Sequence, residues 1–330
     1  MKKPLNHSLQ KAKAVKQDEF YTQLCDIKKE IQYYVSHFKG KIVLCNCDDP
    51  TSSNFAHFFL QEFKALGLKK LIVTCYTGLR GKKGIKLTFD GDKPRVSSLK
   101  GNGDFRNEEC LQLLKQADLI TTNPPFSLFR EYVSQLDKFQ KKFLIIGNHN
   151  FITYLSVFNL IKNGKAWMGI SHPLSFIVPD EYENRSVRSW RDENGINWRS
   201  LGNACWLTNL DHKKRHDDLI LSENFNPEKY PTYDNYKAIE VSRYKDIPKD
   251  YFGVMGVPIT FLEHHNPQQF EIVGSDYNVR EGLLPGLIRE GWEGKLDRGY
   301  VAGKRKFSRI FIRRQKIKPK KNENHEHPIS

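Results

Sequence analysis

A chain of 330 residues can bury the core of one large domain or of two ordinary ones. Its 53 Lys and Arg outnumber its 38 Asp and Glu, and the formal charge of +15 favours a polyanionic partner, most simply nucleic acid, though a merely basic protein would share it. No run of about 18 apolar residues occurs, the start lacks a signal-peptide core, and the six cysteines show no Cys-x-x-Cys or zinc spacing, so a cytoplasmic protein with reduced thiols, no membrane contact and no metal is expected.

In chain order, residues 1–17 are polar and lysine-rich and read as a flexible N-terminal segment. Leu24, Ile27, Ile31, Tyr34, Val35 and Phe38 recur at helical spacing and predict one long helix ending at Gly40. Phe20 and Tyr21 at its start are either a hydrophobic staple or part of a ligand site. Residues 42–45 predict a buried strand, and the polar turn Asn46-Cys47-Asp48-Asp49 leads to a helix marked by Phe55, Phe58, Phe59 and Phe63. Doubly wound folds place a cofactor at such a first strand end. The turn has no Gly-x-Gly-x-x-Gly, and its paired acids would repel a phosphate and welcome an amino or cationic group. A second strand over 71–75 ends at Tyr76. Residues 78–95 look like a basic surface hairpin with a turn at Asp90-Gly91, available to phosphates or simply solvated. A strand near 96 leads to Asp104 and Phe105, and a further helix to a strand near 119.

That strand runs into Asn123-Pro124-Pro125-Phe126, and apolar residues at 128, 129, 132, 133 and 136 predict a helix after it. Two prolines stiffen the loop and lack N–H donors, leaving the Asn123 and Pro124 carbonyls to accept hydrogen bonds beside the flat face of Phe126. Such a group suits a planar base carrying an exocyclic amine; the alternative is a proline-rich turn capping a helix. With a strand over 143–147, the strands near 42, 71, 96 and 119 predict successive βαβ units and an α/β fold with a doubly wound, mostly parallel sheet.

Beyond it, residues 148–163 read as a helix, 166–170 and 175–178 as strands, and 204–210 as a strand closing the sheet. Arg185, Arg188, Arg191 and Arg199 beside Trp190 and Trp198 suit a DNA-facing loop or an ordinary exposed excursion. Short strands are expected over 256–262 and 270–273. Lys304, Arg305, Lys306, Arg309, Arg313 and Arg314 lie in an acid-free stretch and predict phosphate binding, with 307–314 an alternating strand whose arginines face outward. After 317 the composition is that of a flexible polar tail.

Taken together, DEFYT at 18–22, CNCDDP at 45–50, GDFR at 103–106, NPPFSLFREY at 123–132, FLIIG at 143–147, WLTNLD at 206–211 and GVMGVPIT at 253–260 resemble the adenine-specific DNA methyltransferases of the EcoRI modification-methylase type, over most of residues 18–314. The resemblance implies a Rossmann-like S-adenosylmethionine-dependent fold and methyl transfer to the exocyclic N6 of adenine in double-stranded DNA. It places Asn123, Pro124, Pro125 and Phe126 in the catalytic loop. The family's cofactor motifs fall on Phe20, Tyr21 and Thr22, on Asn46, Cys47, Asp48 and Asp49, and on Asp104 with Phe105. Tyr76 takes the second-strand end, where related enzymes often use an acid to hold the ribose.

In this mechanism the target adenine is flipped out of the duplex, polarised by Asn123 and Pro124, and stacked on Phe126. The sulfonium methyl is already activated, so positioning supplies much of the catalysis. The expected organisation is a catalytic domain over 18–210 and a basic target-recognition region over 211–317, followed by the 318–330 tail. A monomer is expected, with a cognate restriction endonuclease as a partner acting on the same site. RNA or protein-glutamine methylation, or a DNA-binding relative without catalysis, are the alternatives.

Overall fold

The computed structural model describes residues 21–79, 81–172, 175–178, 188–200 and 202–315. They fall into two units that divide between His212 and Lys213.

The first unit opens with a short strand, β1 (Tyr21–Thr22), and helices α1 (Leu24–Ile31) and α2 (Val35–Phe38). The single long helix expected here is therefore interrupted. Glu30, near the end of α1, is wholly buried, and its carboxylate accepts from Tyr34 Oη at 2.9 Å and from the backbone N–H groups of Ile170 at 2.9 Å and Ser171 at 2.6 Å. A buried charge must be hydrogen-bonded, and these three donors satisfy it. Gly169 is obligatory beside this acid, because a Cβ there would lie 2.4 Å from Glu30 Oε1.

Strand β2 (Ile42–Cys45), helix α3 (Asn54–Gln61) and strand β3 (Lys70–Cys75) form the expected βαβ unit, with Val43 opposite Leu71 in a parallel pair. The strand near 96 does not continue that pattern. Strands β4 (Ile85–Phe89) and β5 (Arg95–Ser98) are the arms of the predicted hairpin, and both pairings, β3 with β4 and β4 with β5, are antiparallel. A turn this short cannot supply the crossover that a parallel pair requires. Gly91 adopts φ +101° at the turn.

Helix α4 (Glu108–Gln116), strand β6 (Leu119–Thr122), helix α5 (Phe129–Lys138) and strand β7 (Lys142–Asn148) restore the alternation, and β6 pairs parallel with both β2 and β7. A 3₁₀ turn over His149–Thr153 precedes helix α6 (Leu155–Lys162), so the helix predicted from 148 starts later. Strand β8 (Trp167–Met168) follows. Strands β9 (Ser175–Ile177), β10 (Ser189–Arg191) and β11 (Asn197–Ser200) join β1 in a small antiparallel sheet. Strand β12 (Ala204–Thr208) returns to the main sheet, whose order is β5-β4-β3-β2-β6-β7-β12-β8.

Only the inner pairs from β3 to β7 are parallel, so the sheet is mixed rather than mostly parallel, and β8 rather than β12 closes its edge. Aromatic packing secures the helices on it: Phe55 meets Trp206 edge-on at 6.1 Å, Phe38 meets Phe59 at 5.5 Å, and Phe129 stacks on Phe151 at 5.9 Å. Each such buried ring contributes roughly 1.5–3 kcal/mol by the hydrophobic effect. Among the described residues no helix is long and apolar enough to cross a membrane. The six cysteines form no disulfide.

The second unit holds a four-stranded sheet with order β13-β14-β18-β15, built from β13 (Ile239–Glu240), β14 (Val254–Pro258), β15 (Phe270–Ser275) and β18 (Arg309–Arg314). Helix α7 (Asp276–Arg280) starts on a Ser275/Asn278 capping box, and β16 (Tyr300–Val301) with β17 (Lys304–Arg305) makes a separate hairpin. Tyr233, Tyr236 and Phe311 form the aromatic core. Gly256 and Gly299 make room for Tyr233, since a Cβ on either would lie 2.3–2.4 Å from that side chain.

Because β18 runs between β14 and β15, its Arg309, Ile310, Phe311 and Ile312 are all buried, which corrects the expected outward set of arginines. Arg309 points inward, and its Nε lies 3.1 Å from a Glu240 carboxylate oxygen while Nη2 makes a still shorter contact with the other. Tyr233 also donates to Glu240, and the Arg309 backbone N–H donates to Asp276 at 2.6 Å. Only Arg313 and Arg314 of this strand reach the surface. Removing one partner of a buried pair leaves the other charge uncompensated. Arg309→Met should therefore cost about 3–5 kcal/mol, read by urea unfolding; native-like stability with weakened DNA binding would instead make Arg309 a phosphate contact.

Candidate active site

The parallel strands β3, β2, β6 and β7 end at one edge of the main sheet. After β2 the chain moves to β3 on one side, then to β6 on the other, so the order reverses between β2 and β6. Ligands of open α/β sheets bind at such a switch point. The loops meeting there are the acidic turn after β2 and Asn123-Pro124-Pro125-Phe126 after β6.

Asp48 fastens them. Its side chain is buried, Oδ1 accepts from Ser53 Oγ at 2.6 Å, and Oδ2 accepts from Thr122 Oγ1 at 2.5 Å. Ser53 is also the N-cap of α3, accepting from the Phe55 N–H at 3.1 Å. One carboxylate thus ties the start of a helix to the residue just before Asn123. Burial pushes the Asp48 pKa up to about 6, against the opposing effect of its two hydroxyl donors.

Asn123 is held from the other side, its Nδ2 donating to Thr22 Oγ1 at 3.2 Å. Thr22 itself is buried in β1, and its carbonyl accepts from Asn54 Nδ2 at 2.8 Å. In this arrangement the amide nitrogen faces Thr22 and the carbonyl oxygen faces away from it. Pro124 is buried. The Pro125 carbonyl accepts the Leu128 N–H at 3.0 Å within the 3₁₀ turn Phe126–Leu128, so of the two proline carbonyls this turn uses Pro125 and leaves Pro124 outside it. Phe126 is half-buried against the core. Phe129, at the start of α5, requires Gly147, where a Cβ would approach the ring to 2.7 Å.

The other candidates surround this pair of loops unevenly. Asn46 is buried, and its Oδ1 accepts from Tyr132 Oη, while its Nδ2 has no hydrogen-bond partner among the described residues. Burial pushes the Tyr132 hydroxyl pKa up, so it remains a proton donor. Cys47 is half-buried beside them. Asp49 stays local, accepting from the Thr51 N–H at 2.7 Å and hydroxyl at 2.6 Å. Tyr76, past the end of β3, is 57% exposed.

Asp104 is engaged by Arg106, which bridges on to Glu131 at 3.2 Å. Phe105 is buried and meets Tyr132 edge-on at 5.1 Å, so its ring belongs to the core rather than to an open face. The loop carrying both lies against the end of β3 because Gly103 has φ +83° and a Cβ there would be 2.0 Å from the Cys75 carbonyl oxygen. Tyr21 is exposed in β1, and Phe20 lies outside the described residues.

Ser53, Thr122 and Tyr132 were not among the residues that the sequence marks as a site. Thr122 had a signal, adjacency to Asn123, whereas Tyr132 reads only as one apolar position on a helix face. In the second unit, Lys304 and Arg305 are exposed, Arg305 pairs with Asp297 at 2.5 Å, Lys306 is half-buried, Arg313 lies 3.6 Å from Glu271, and Arg314 covers the Phe252 ring at 5.2 Å.

The raised Asp48 pKa fixes a pH dependence. A carboxyl whose folded pKa exceeds its unfolded value stabilises most below the unfolded value, 3.8, and loses that contribution as pH rises through about 6. Relative to Asp48→Asn, the wild-type Tm should fall as pH rises from 4 to 7, by on the order of 3 kcal/mol of stability in all. A constant difference between the two thermal curves would contradict this assignment.

Comparison with known proteins gives this geometry its family. The model of the EcoRI adenine-specific methyltransferases matches residues 8–315. The chain is 51% identical to the Type II methyltransferase M.EcoRI of Escherichia coli, over 94% of its own length and 98% of that protein. It is 37% identical to M.MgeORF184P of Mycoplasma genitalium and 38% to M.MpnI of Mycoplasma pneumoniae, again over 94% of the chain and 100% and 98% of those proteins. No solved structure matches. Since the family's match spans both units and its relatives align along nearly their whole lengths, the chain belongs to the EcoRI family of adenine-specific methyltransferases.

Proposed function

We propose that the chain is a site-specific DNA methyltransferase that transfers a methyl group from S-adenosylmethionine to N6 of an adenine flipped out of the duplex. What supports the catalytic part is the Asn123–Thr22 contact, in which the amide nitrogen faces Thr22 at the switch point between the parallel strands, beside Pro124 and Phe126. The Asn123 Oδ1 and the Pro124 carbonyl accept the two N6–H bonds. Held there, the nitrogen lone pair turns out of conjugation with the ring and toward the methyl donor. Phe126 stacks on the flipped base. As the N–C bond forms, the S–CH3 bond would break to leave the neutral thioether, and the cationic N6 would then lose a proton to water.

S-adenosylmethionine supplies a methyl group already activated on a sulfonium. The residues at the switch point fit it. The buried Asn46 Nδ2 offers a donor that no protein atom takes, and Asp49 offers a carboxylate for the ammonium of the methionine end. Asp48, committed to Ser53 and Thr122, positions the loops instead of touching the cofactor. In this reading Tyr76 covers the adenosine, and Phe105 supports the site through Tyr132, which it meets edge-on.

The fold in this reading is Rossmann-like, and residues 211–317 form the target-recognition region. There Lys304, Arg305, Lys306, Arg313 and Arg314 contact phosphates, while the buried Arg309 holds the strand. A restriction endonuclease cutting the same site is the partner that such an activity implies, and one chain is the working unit.

The test is transfer of labelled methyl from S-adenosylmethionine to duplex DNA, RNA and protein in parallel, with the modified base located by sequencing; transfer to RNA or protein alone would overturn the reading. Asn123→Ala should lower kcat by at least about a hundredfold, while S-adenosylmethionine affinity by calorimetry changes less than about threefold. Activity retained in that variant would sink the mechanism.

A further inference from the structure

Phe307 projects from the second unit with 86% of its surface exposed, on a backbone fastened at both ends. On one side, the Lys306 N–H donates to the Gly299 carbonyl at 2.8 Å, and the β16–β17 turn is pinned by Asp234, which accepts from the Ala302 N–H at 3.2 Å and the Gly303 N–H at 2.8 Å. On the other side, Arg309 is locked by Glu240 and by the bond from its own N–H to Asp276. Ala302 and Gly303 have φ of +48° and +70°, as a tight hairpin turn demands. The ring is thus presented by a rigid support rather than by a loose loop.

Its neighbours in sequence say what it meets. Lys304 and Arg305 are exposed and Lys306 half-exposed, and Asp297 holds the Arg305 guanidinium in place. A lone exposed phenyl needs no explanation by itself. Here, however, an apolar ring follows three cations in sequence on a fastened backbone, which matches a partner whose surface is anionic and whose interior is flat and apolar. Duplex DNA has that chemistry: phosphates outside, stacked bases within. Proteins that distort DNA insert phenylalanine or other apolar wedges between base steps and repay the unstacking with backbone contacts.

Resting on the function proposed above, we propose that Phe307 is a DNA wedge that enters the base stack while Lys304, Arg305 and Lys306 hold the flanking phosphates. No side chain is modified and no bond is made or broken; the ring replaces lost base stacking with ring stacking.

The experiment uses the full chain and duplex DNA carrying the methylated site, once that site is located. Methyl transfer by the wild-type protein establishes the underlying activity, and its absence would defeat the function reading before Phe307 is at issue. Given transfer, Phe307→Ala should lower kcat/KM by about tenfold or more on the intact duplex. It should also reduce DNA bending, seen as the change in end-to-end energy transfer on a doubly labelled duplex. Phe307→Trp, which keeps a flat ring, should restore both, and Lys304→Gln should weaken binding with a shallower salt dependence but leave bending intact. Since the ring is exposed, the thermal stability of Phe307→Ala should match that of wild type. Unchanged kinetics and bending in Phe307→Ala would overturn the wedge. So would failure of Phe307→Trp to recover them, or a change in oligomeric state without any effect on DNA, which would assign the ring to a protein contact.

Discussion

The candidate site depends on one buried carboxylate. Asp48 sits where the chain order of the parallel strands reverses, and it accepts hydroxyl hydrogen bonds from the N-cap of α3 and from Thr122 at the root of the Asn-Pro-Pro-Phe loop. That acid ties together two loops from strands far apart in sequence, alongside the Asn46–Tyr132 hydrogen bond. Its cost is a pKa raised to about 6 by burial, a destabilisation of the charged form that the two donors only partly offset. Thr22 completes the arrangement by holding the Asn123 nitrogen, so the loop is fixed in position by one contact and in orientation by the other.

The same device recurs through the chain. Glu30 ties α1 to residues 170 and 171, Glu240 ties β13 to β18 and Tyr233, and Asp276 caps the start of β18 through the Arg309 N–H. Each is a buried acid whose partners come from remote parts of the sequence within its unit. Buried ion pairs are a poor source of net stability, but a misfolded arrangement leaves them unpaired at a cost of several kcal/mol, which favours a single packing. Burial likewise pushes the Asp276 carboxyl up to about 7, against the opposing pull of the Arg309 N–H and the nearby arginines.

Much of the arrangement was legible in the chain. The strands at 42–45, 70–75 and 119–122, the hairpin turn at Gly91, the strand-to-helix position of Asn123 and the positions of β12 and β18 follow from apolar runs, glycine and proline. The misreadings share a cause. A helical period carried the first helix through residues 32–34, where the backbone turns instead. The strand near 96 was placed among the parallel strands because local pattern does not report strand direction. Alternation placed Arg309 outward, because alternation assumes one solvated face, and β18 has none at that end.

Sequence by itself therefore determined the chemistry: a stiff acceptor loop with an aromatic, a first loop bearing acids instead of glycines, an excess of positive charge and the family to which these belong. Tertiary structure alone decided which of these groups act together. Hydrogen bonds between Asp48 and Thr122, Thr22 and Asn123, and Asn46 and Tyr132 join residues 74 to 101 positions apart, and no local period encodes such a distance. It also decided that Arg309 serves the core and Phe307 the surface, two residues apart on one segment, because burial is a property of what packs around a side chain and not of the side chain itself.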